Sequence, residues 1–151
     1  MKHSAGILLY RYSNHELQVL LAHPGGPFWS KKDAGVWTIP KGEIQENEIP
    51  LAAARREFME ETGMVVSGEY VKLTPLLQPS NQRIVHAWAL LGNFNPRELN
   101  CNNFSMEWPK GSGKYEEFPE IDRVEWFNIA EASNKILRGQ RPFLTELQDI
   151  L

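Results

Sequence analysis

The sequence predicts an α/β fold built as one domain over residues 1–151. Three observations lead there. Paired β-type apolar runs open the chain, an alanine-rich helical segment with clear start and stop signals follows, and a late strand-like run leads into two helical stretches. With 42% hydrophobic and 11% aromatic residues there is apolar material for a core, and a formal charge of -3 is too small to hold the chain open. A length of 151 residues suits one domain better than several.

The first two runs, Ser4–Tyr12 and Leu17–Ala22, flank Ser13-Asn14-His15-Glu16, a turn composition, and so read as a hairpin. His23-Pro24-Gly25-Gly26-Pro27 breaks the pattern and opens a shaped loop punctuated by Phe28, Trp29 and Trp37, ahead of the short segment Val36–Ile39. From Pro50 to Thr62 the pattern is helical: Pro50 suits a first turn, three alanines follow, and Gly63 is the stop. Strand-like runs come next at Tyr70–Leu73 and Val85–Leu91. A last one, Val124–Phe127, precedes helices near Ile129–Leu137 and Phe143–Leu151. The stretch from Gly92 to Pro119, rich in Asn, Gly and Pro, is longer than structureless loops usually are and reads as either a substrate loop or a surface insertion.

The lone Cys101 cannot form an intramolecular disulfide and reads as an inert thiol. No basic stretch followed by a long apolar run opens the chain, and Ala5–Tyr10 is too short to span a bilayer, so the expectation is a cytoplasmic protein without membrane partners. Charge is unevenly placed. Six of the 19 acids and two of the 16 bases lie between residues 43 and 61, which leaves 13 acids against 14 bases elsewhere. Such a balanced body argues against a basic stripe for nucleic acid. Its acidic segment suits a site that collects cations.

At about 100° per residue, Leu51, Ala54, Phe58 and Thr62 share one stripe of the predicted helix, and Glu57, Glu60 and Glu61 fall on the flank beside it. Like charges so spaced repel by roughly 0.2–0.5 kcal/mol per pair when exposed, and more where water is excluded. Arg56 can reach Glu60 at i,i+4, yet one guanidinium cannot neutralise three carboxylates. Carboxylate oxygens without thiolates or a histidine cluster select Mg²⁺, Mn²⁺ or Ca²⁺. The alternative is a solvated acidic face.

Spacing decides between the two. Five residues separate Gly42 from Glu48 and seven more lead to Arg56-Glu57; then come Phe58, Met59, Glu60-Glu61, Thr62, Gly63 and Met64. These residues resemble a complete Nudix box, and the chain is similar to Nudix hydrolases. Seven fixed identities would recur by chance on the order of 10⁻⁹ per starting point. The resemblance implies an α/β/α sandwich with a central mixed sheet, and hydrolysis of a diphosphate linked to another moiety, commonly a nucleoside, with Mg²⁺ as cofactor and Mn²⁺ as a possible substitute. By resemblance, Glu57, Glu60 and Glu61 are metal ligands, Glu48 completes the cluster, and a carbonyl at Lys41 or Gly42 joins them. Glu57 is the choice for general base, with Glu61 beside it in the catalytic set and Arg56 holding a glutamate in place. A further acid often contributes from outside the box in this family: Glu120 is the first choice and Glu117 the second.

Trp37-Thr38-Ile39-Pro40-Lys41-Gly42 resembles the W-x-x-P-K-G segment of Nudix enzymes acting on dinucleoside polyphosphates such as diadenosine tetraphosphate. Two residues depart from that pattern: Glu43 stands where a histidine is usual, and Asn47 where a glycine commonly precedes the box glutamate. Lys41 is read as a phosphate contact. Trp29, Trp37, Trp88, Trp108 and Tyr115 are candidates to stack on a base, and Lys31, Lys32 and Arg83 to steer a polyphosphate. Lys135, Arg138 and Arg141 read as helix-end charges. The implied partner is a small nucleotide-type diphosphate, with no stable nucleic-acid complex. Two further readings stay open: a hydrolase of oxidised nucleoside triphosphates, and a nucleotide-binding domain that has lost catalysis.

Overall fold

The computed structural model describes residues 1–151, the side chain of Ser80 excepted. In chain order the elements are β1 (Lys2–Ser13), β2 (Glu16–Pro24), β3 (Lys41–Glu43), α1 (Pro50–Thr62), β4 (Val71–Lys72), β5 (Leu76–Gln78), β6 (Arg83–Leu91), β7 (Asn103–Glu107), β8 (Tyr115–Pro119), β9 (Ile121–Asn128), α2 (Ile129–Lys135) and α3 (Arg141–Ile150). Among the described residues, seven strands form one sheet in the order β4-β6-β1-β2-β9, with β3 beside β1 and β5 beside β6. The β1–β6 pair is parallel and the other pairs are antiparallel, so the sheet is mixed.

The β1–β2 hairpin closes with Ser13 opposite Glu16, and Asn14 and His15 both have positive φ, 52° and 65°. A two-residue turn of that hand matches the twist of the strands it joins. Because β1 is central and covered on both sides, Ser4–Tyr10 is a continuous buried run. Its odd residues Ala5, Ile7 and Leu9 pack with Ala53, Ala54 and Phe58 of α1. Leu8 and Tyr10 turn to the opposite face, where Ala132, Phe143, Leu144 and Leu147 of α2 and α3 close the second core. Helix layers on both sheet faces make the α/β/α sandwich expected from the family resemblance. Among the described residues no helix is long and apolar enough to cross a membrane.

Three features go beyond what the sequence suggests. The stretch between Gly92 and Pro119 is not a loop throughout: β7 and β8 pair as a hairpin of their own, from Asn103 opposite Pro119 to Glu107 opposite Tyr115. Phe104 and Met106 alternate with polar residues in β7, but the run is short and β8 has no such pattern to match it. The short strands β3 and β5 have no signature in the sequence, since two or three residues hold no periodicity; their partners β1 and β6 define them. Val36–Ile39 is not a strand of the sheet but makes single bridges, Thr38 to Ala22 and Trp37 to Ile136.

Candidate active site

Gly63 ends α1 in the left-handed conformation, φ 84°, as its position after the helical pattern requires. The helix buries Ala53, Ala54, Phe58, Glu61 and Thr62 against the sheet, so Glu61 enters the core edge with the apolar stripe. β3 crosses in front of this helix. A Cβ on Gly42 would lie 2.0 Å from the Glu57 carboxylate carbon; the glutamate therefore rests directly on the Gly42 backbone, a seat that any side chain there would fill.

Arg56 organises the remaining carboxylates, with all five of its N–H groups engaged. Nε and Nη2 hold Glu48 in a two-pronged pair at 2.7 and 2.9 Å. Nη1 donates to Glu57 at 2.8 Å and Glu60 at 3.0 Å, and Nη2 also reaches the Glu43 carbonyl at 3.0 Å. One guanidinium carries one charge and does not neutralise them: Arg56 bonds to Glu48, Glu57 and Glu60 together, and Glu61 is not among its partners. Glu48 is further fixed by the Gln45 N–H at 3.0 Å, across a turn in which Asn47 has φ 63°. That left-handed position explains the departure at Asn47, since asparagine is the residue that best replaces glycine there.

Charge compensation is incomplete. Arg56 holds the Glu48 carboxyl below its usual range. Burial pushes Glu57 up, Arg56 opposes this, and Glu60 and Glu120 add to it. Glu61 is raised well above the ordinary carboxyl range, first by burial and then by Glu57, with Lys41 opposing, and its Oε2 has no hydrogen-bond partner. Five carboxylates, those of Glu48, Glu57, Glu60, Glu61 and Glu120, thus face Arg56 and Lys41, with Arg83 behind Lys41, so acids outnumber bases. Among the described residues no three acids, histidines or cysteines close on one metal-sized point; Glu48, Glu57 and Glu60 are held on Arg56. An orphaned buried carboxylate oxygen, a glycine seat under Glu57 and an all-oxygen donor set nevertheless fit a hard divalent cation.

Glu120 sits at the corner between β8 and β9, and its charge is felt at both Glu57 and Glu61. Gly25 sets that corner: a Cβ there would lie 1.9 Å from the Pro119 carbonyl, and the Gly25 N–H donates to the Glu120 carbonyl at 2.8 Å. Sequence reasoning misses Gly25, whose partner is remote in the chain. Glu117, the second choice, stands exposed on β8 opposite Ser105.

Lys41 is pushed down chiefly by burial, with Glu61 opposing and Arg83 reinforcing the shift. Arg83 donates Nη1 to Ser4 Oγ at 2.7 Å and keeps a buried Nε without a partner. Two cations thus stand together beside the acidic cluster.

The aromatic candidates divide. Trp37 is corrected: it is 1% exposed, bonded through Nε1 to Asp33 at 2.8 Å and packed against His23 and Phe127, so no base can stack on it. Trp88 is likewise core, beside α1. Trp29 is exposed next to Phe28, their rings edge to face at 4.9 Å, and Lys32 Nζ lies 4.3 Å from the Phe28 centroid. The loop bearing them is held by buried His23, which bonds Asp122 at 2.8 Å and the Lys32 carbonyl at 2.6 Å. Trp108 and Tyr115 are exposed on the β7–β8 hairpin, while Lys31 is a plain surface residue. The Cys101 thiol is tied to the backbone of Ile121, 2.9 Å from its carbonyl.

A family model described as NUDIX domain matches residues 2–147. Among curated proteins, the chain is 51% identical over 41 residues to Nudix hydrolase 25 of Arabidopsis thaliana, covering 27% of this chain and 23% of that protein. It is 64% identical over 28 residues to an RNA pyrophosphohydrolase of Bartonella henselae, covering 18% and 16%. The matched stretches span less than a quarter of either relative. Among solved structures, an Ap4A hydrolase of C. elegans superposes with TM-score 0.68 at 19% identity, over 99% of this chain and 97% of that one, a likeness of fold.

Proposed function

The chain belongs to the NUDIX family, and from that premise we propose that it is a Mg²⁺-dependent pyrophosphohydrolase of nucleoside diphosphate-linked compounds, with dinucleoside polyphosphates as the first candidate substrates. The observation that carries this reading is the undercompensated acidic cluster assembled on Gly42: five carboxylates, one with a buried oxygen lacking a partner, against the three cations Arg56, Lys41 and Arg83. Glu57, Glu60 and Glu61 would hold the metal, with Glu48, Glu120 and the Gly42 carbonyl in support. Bound Mg²⁺ would offset charge on the phosphoanhydride oxygens and acidify an attacking water.

The chain's own residues supply the rest. Glu57, seated on Gly42 with its proton affinity raised by burial, is assigned as the base that takes the water's proton. Arg56 holds Glu48, Glu57 and Glu60 in place through bonds of 2.7–3.0 Å, so that their geometry is set before substrate arrives. Lys41 and Arg83, adjacent cations beside the carboxylates, are assigned to meet the polyphosphate. Trp29 with Phe28 supports base stacking, a contact worth about 1–3 kcal/mol per base. Similarity of fold to the Ap4A hydrolase supports the choice of substrate.

The test is chromatographic detection of the nucleotide products formed from diadenosine tetraphosphate, nucleoside triphosphates including 8-oxo-dGTP, nucleotide sugars, ADP-ribose and 5′-triphosphorylated RNA, with Mg²⁺, with Mn²⁺ and with chelator. Mg²⁺-dependent turnover favouring the dinucleotide supports the reading. A preference for 8-oxo-dGTP assigns the same chemistry to oxidised nucleotides. Stoichiometric binding without turnover in either metal overturns catalysis and leaves a nucleotide-binding domain.

A further inference from the structure

Next to the acidic cluster, but on the neighbouring strands, His3 of β1 and His86 of β6 face each other. In the parallel register His3 lies opposite Ile84 and His86 opposite Ala5, so the two histidines are diagonal neighbours on one sheet face. His3 Nδ1 and His86 Nε2 are 2.9 Å apart, with ring planes inclined by 20° and centroids at 5.2 Å. The pair opens on a cavity of about 580 Å³ whose lining also includes Glu43 and Ile44. His3 is exposed and His86 half-buried, so an ion can reach both.

The geometry points to a second metal site, for a borderline divalent ion of the Cu²⁺ or Ni²⁺ kind, held by His3 Nδ1 and His86 Nε2. Imidazole nitrogens bind such metals at about 2.0–2.1 Å, and two of them in neighbouring positions at 90° are then ~2.9 Å apart, against ~3.4 Å for a tetrahedral angle. The observed 2.9 Å, a hydrogen-bond distance between the two rings, is also the spacing of the tetragonal pair, so little movement is needed to seat an ion. The two ring nitrogens, now hydrogen-bonded to each other, can instead share a metal, and Glu43 lines the same cavity. Burial, with His3 and Lys72 adding to it, holds His86 below its ordinary value, favouring the neutral imidazole a metal requires. Mg²⁺, which demands oxygen ligands, is not bound here. The site is therefore chemically distinct from the carboxylate cluster.

Titration of the metal-free protein with CuCl₂ or NiCl₂ alone, followed by calorimetry and, for copper, by electron paramagnetic resonance, tests the assignment. One equivalent should bind with the hyperfine signature of two imidazole nitrogens, unaffected by excess Mg²⁺. His86→Ala and His86→Gln should each weaken binding at least about tenfold, the glutamine variant guarding against a packing defect. Glu57→Gln should leave the affinity unchanged. Equal affinity in wild type and both His86 variants overturns the site. So does loss confined to His3→Ala, which would leave His86 without a role, or loss in Glu57→Gln, which would place the ion in the acidic cluster.

Discussion

Replacing Gly42 by alanine isolates the contact on which the proposed chemistry rests. The new Cβ would stand 2.0 Å from the Glu57 carboxylate carbon and 2.0 and 2.4 Å from its oxygens. Carbon atoms in contact prefer about 3.5–4.0 Å, so the carboxylate must retreat by roughly 1.5–2 Å. A displacement of about 1 Å at a reacting group is worth ~10²-fold in rate, so kcat should fall at least about 100-fold, ~2.7 kcal/mol of lost transition-state stabilisation. The fold should survive, because the obstructing atoms are the free end of a flexible side chain and Gly42 does not occupy the left-handed region. At roughly 2–4 °C per kcal/mol, the melting temperature should move by no more than a few degrees. The assay is kcat and KM for diadenosine tetraphosphate at saturating Mg²⁺, beside a thermal melt. KM should change little, since the lost contact acts on the reacting atoms. A Gly42→Ala protein that turns over at the wild-type rate, with an unchanged melt, would show that the seat of Glu57 is irrelevant and refute the reasoning.

Removing Arg56 as Arg56→Ala leaves Glu48, Glu57 and Glu60 unpaired; denaturant titration in chelator should show a loss of roughly 1–3 kcal/mol, partly restored by Mg²⁺. Undiminished stability would deny Arg56 its organising role. Glu61 has a raised folded-state pKa, so between the ordinary carboxyl range and that raised value the folded state holds more protons than the unfolded chain, and metal-free stability should fall as pH rises through that window. Glu61→Gln should flatten this slope and melt higher than wild type at alkaline pH in chelator, while losing turnover by orders of magnitude; a lower melt there counts against the buried, uncompensated charge. Trp37→Ala should cost about 3–5 kcal/mol through its cavity, whereas Trp29→Ala should leave the melt unchanged and raise KM by the equivalent of roughly 1–3 kcal/mol. The reverse pattern, read by paired melts and Michaelis curves, would exchange their roles.

Much of the fold and of the candidate site is legible in the amino-acid order. Pro50, the alanines and Gly63 mark α1 within one stretch of chain, and the observed helix runs from Pro50 to Thr62. Asn14 and His15 supply the turn between β1 and β2. The spacing from Gly42 to Met64 points to the family that the match over residues 2–147 shows. Other features leave no local trace. Trp37 looks in sequence like Trp29, and only the packing of α2 and β9 makes one core and the other surface. Glu60 and Glu61 are adjacent acids on one helix, yet Glu61 is buried beside Lys41 and Glu60 reaches Arg56 from the rim. The β7–β8 hairpin looks irregular in sequence because Phe104 and Met106 give β7 only one short alternation and β8 has none.

The order of residues dictates on its own whatever depends on near neighbours: helix limits, turn chemistry, and the spacing that puts three glutamates on the flank of one helix. Which charges go unanswered is settled by packing in three dimensions, since the groups involved are far apart along the chain: Glu120 set against Glu57 by the fit of Gly25 to Pro119, Lys41 carried to Glu61, His3 brought to His86. Local conformation follows from steric and hydrogen-bonding rules acting over a few residues. Desolvation and Coulomb forces act through space, and their outcome waits until the sheet has brought distant residues together.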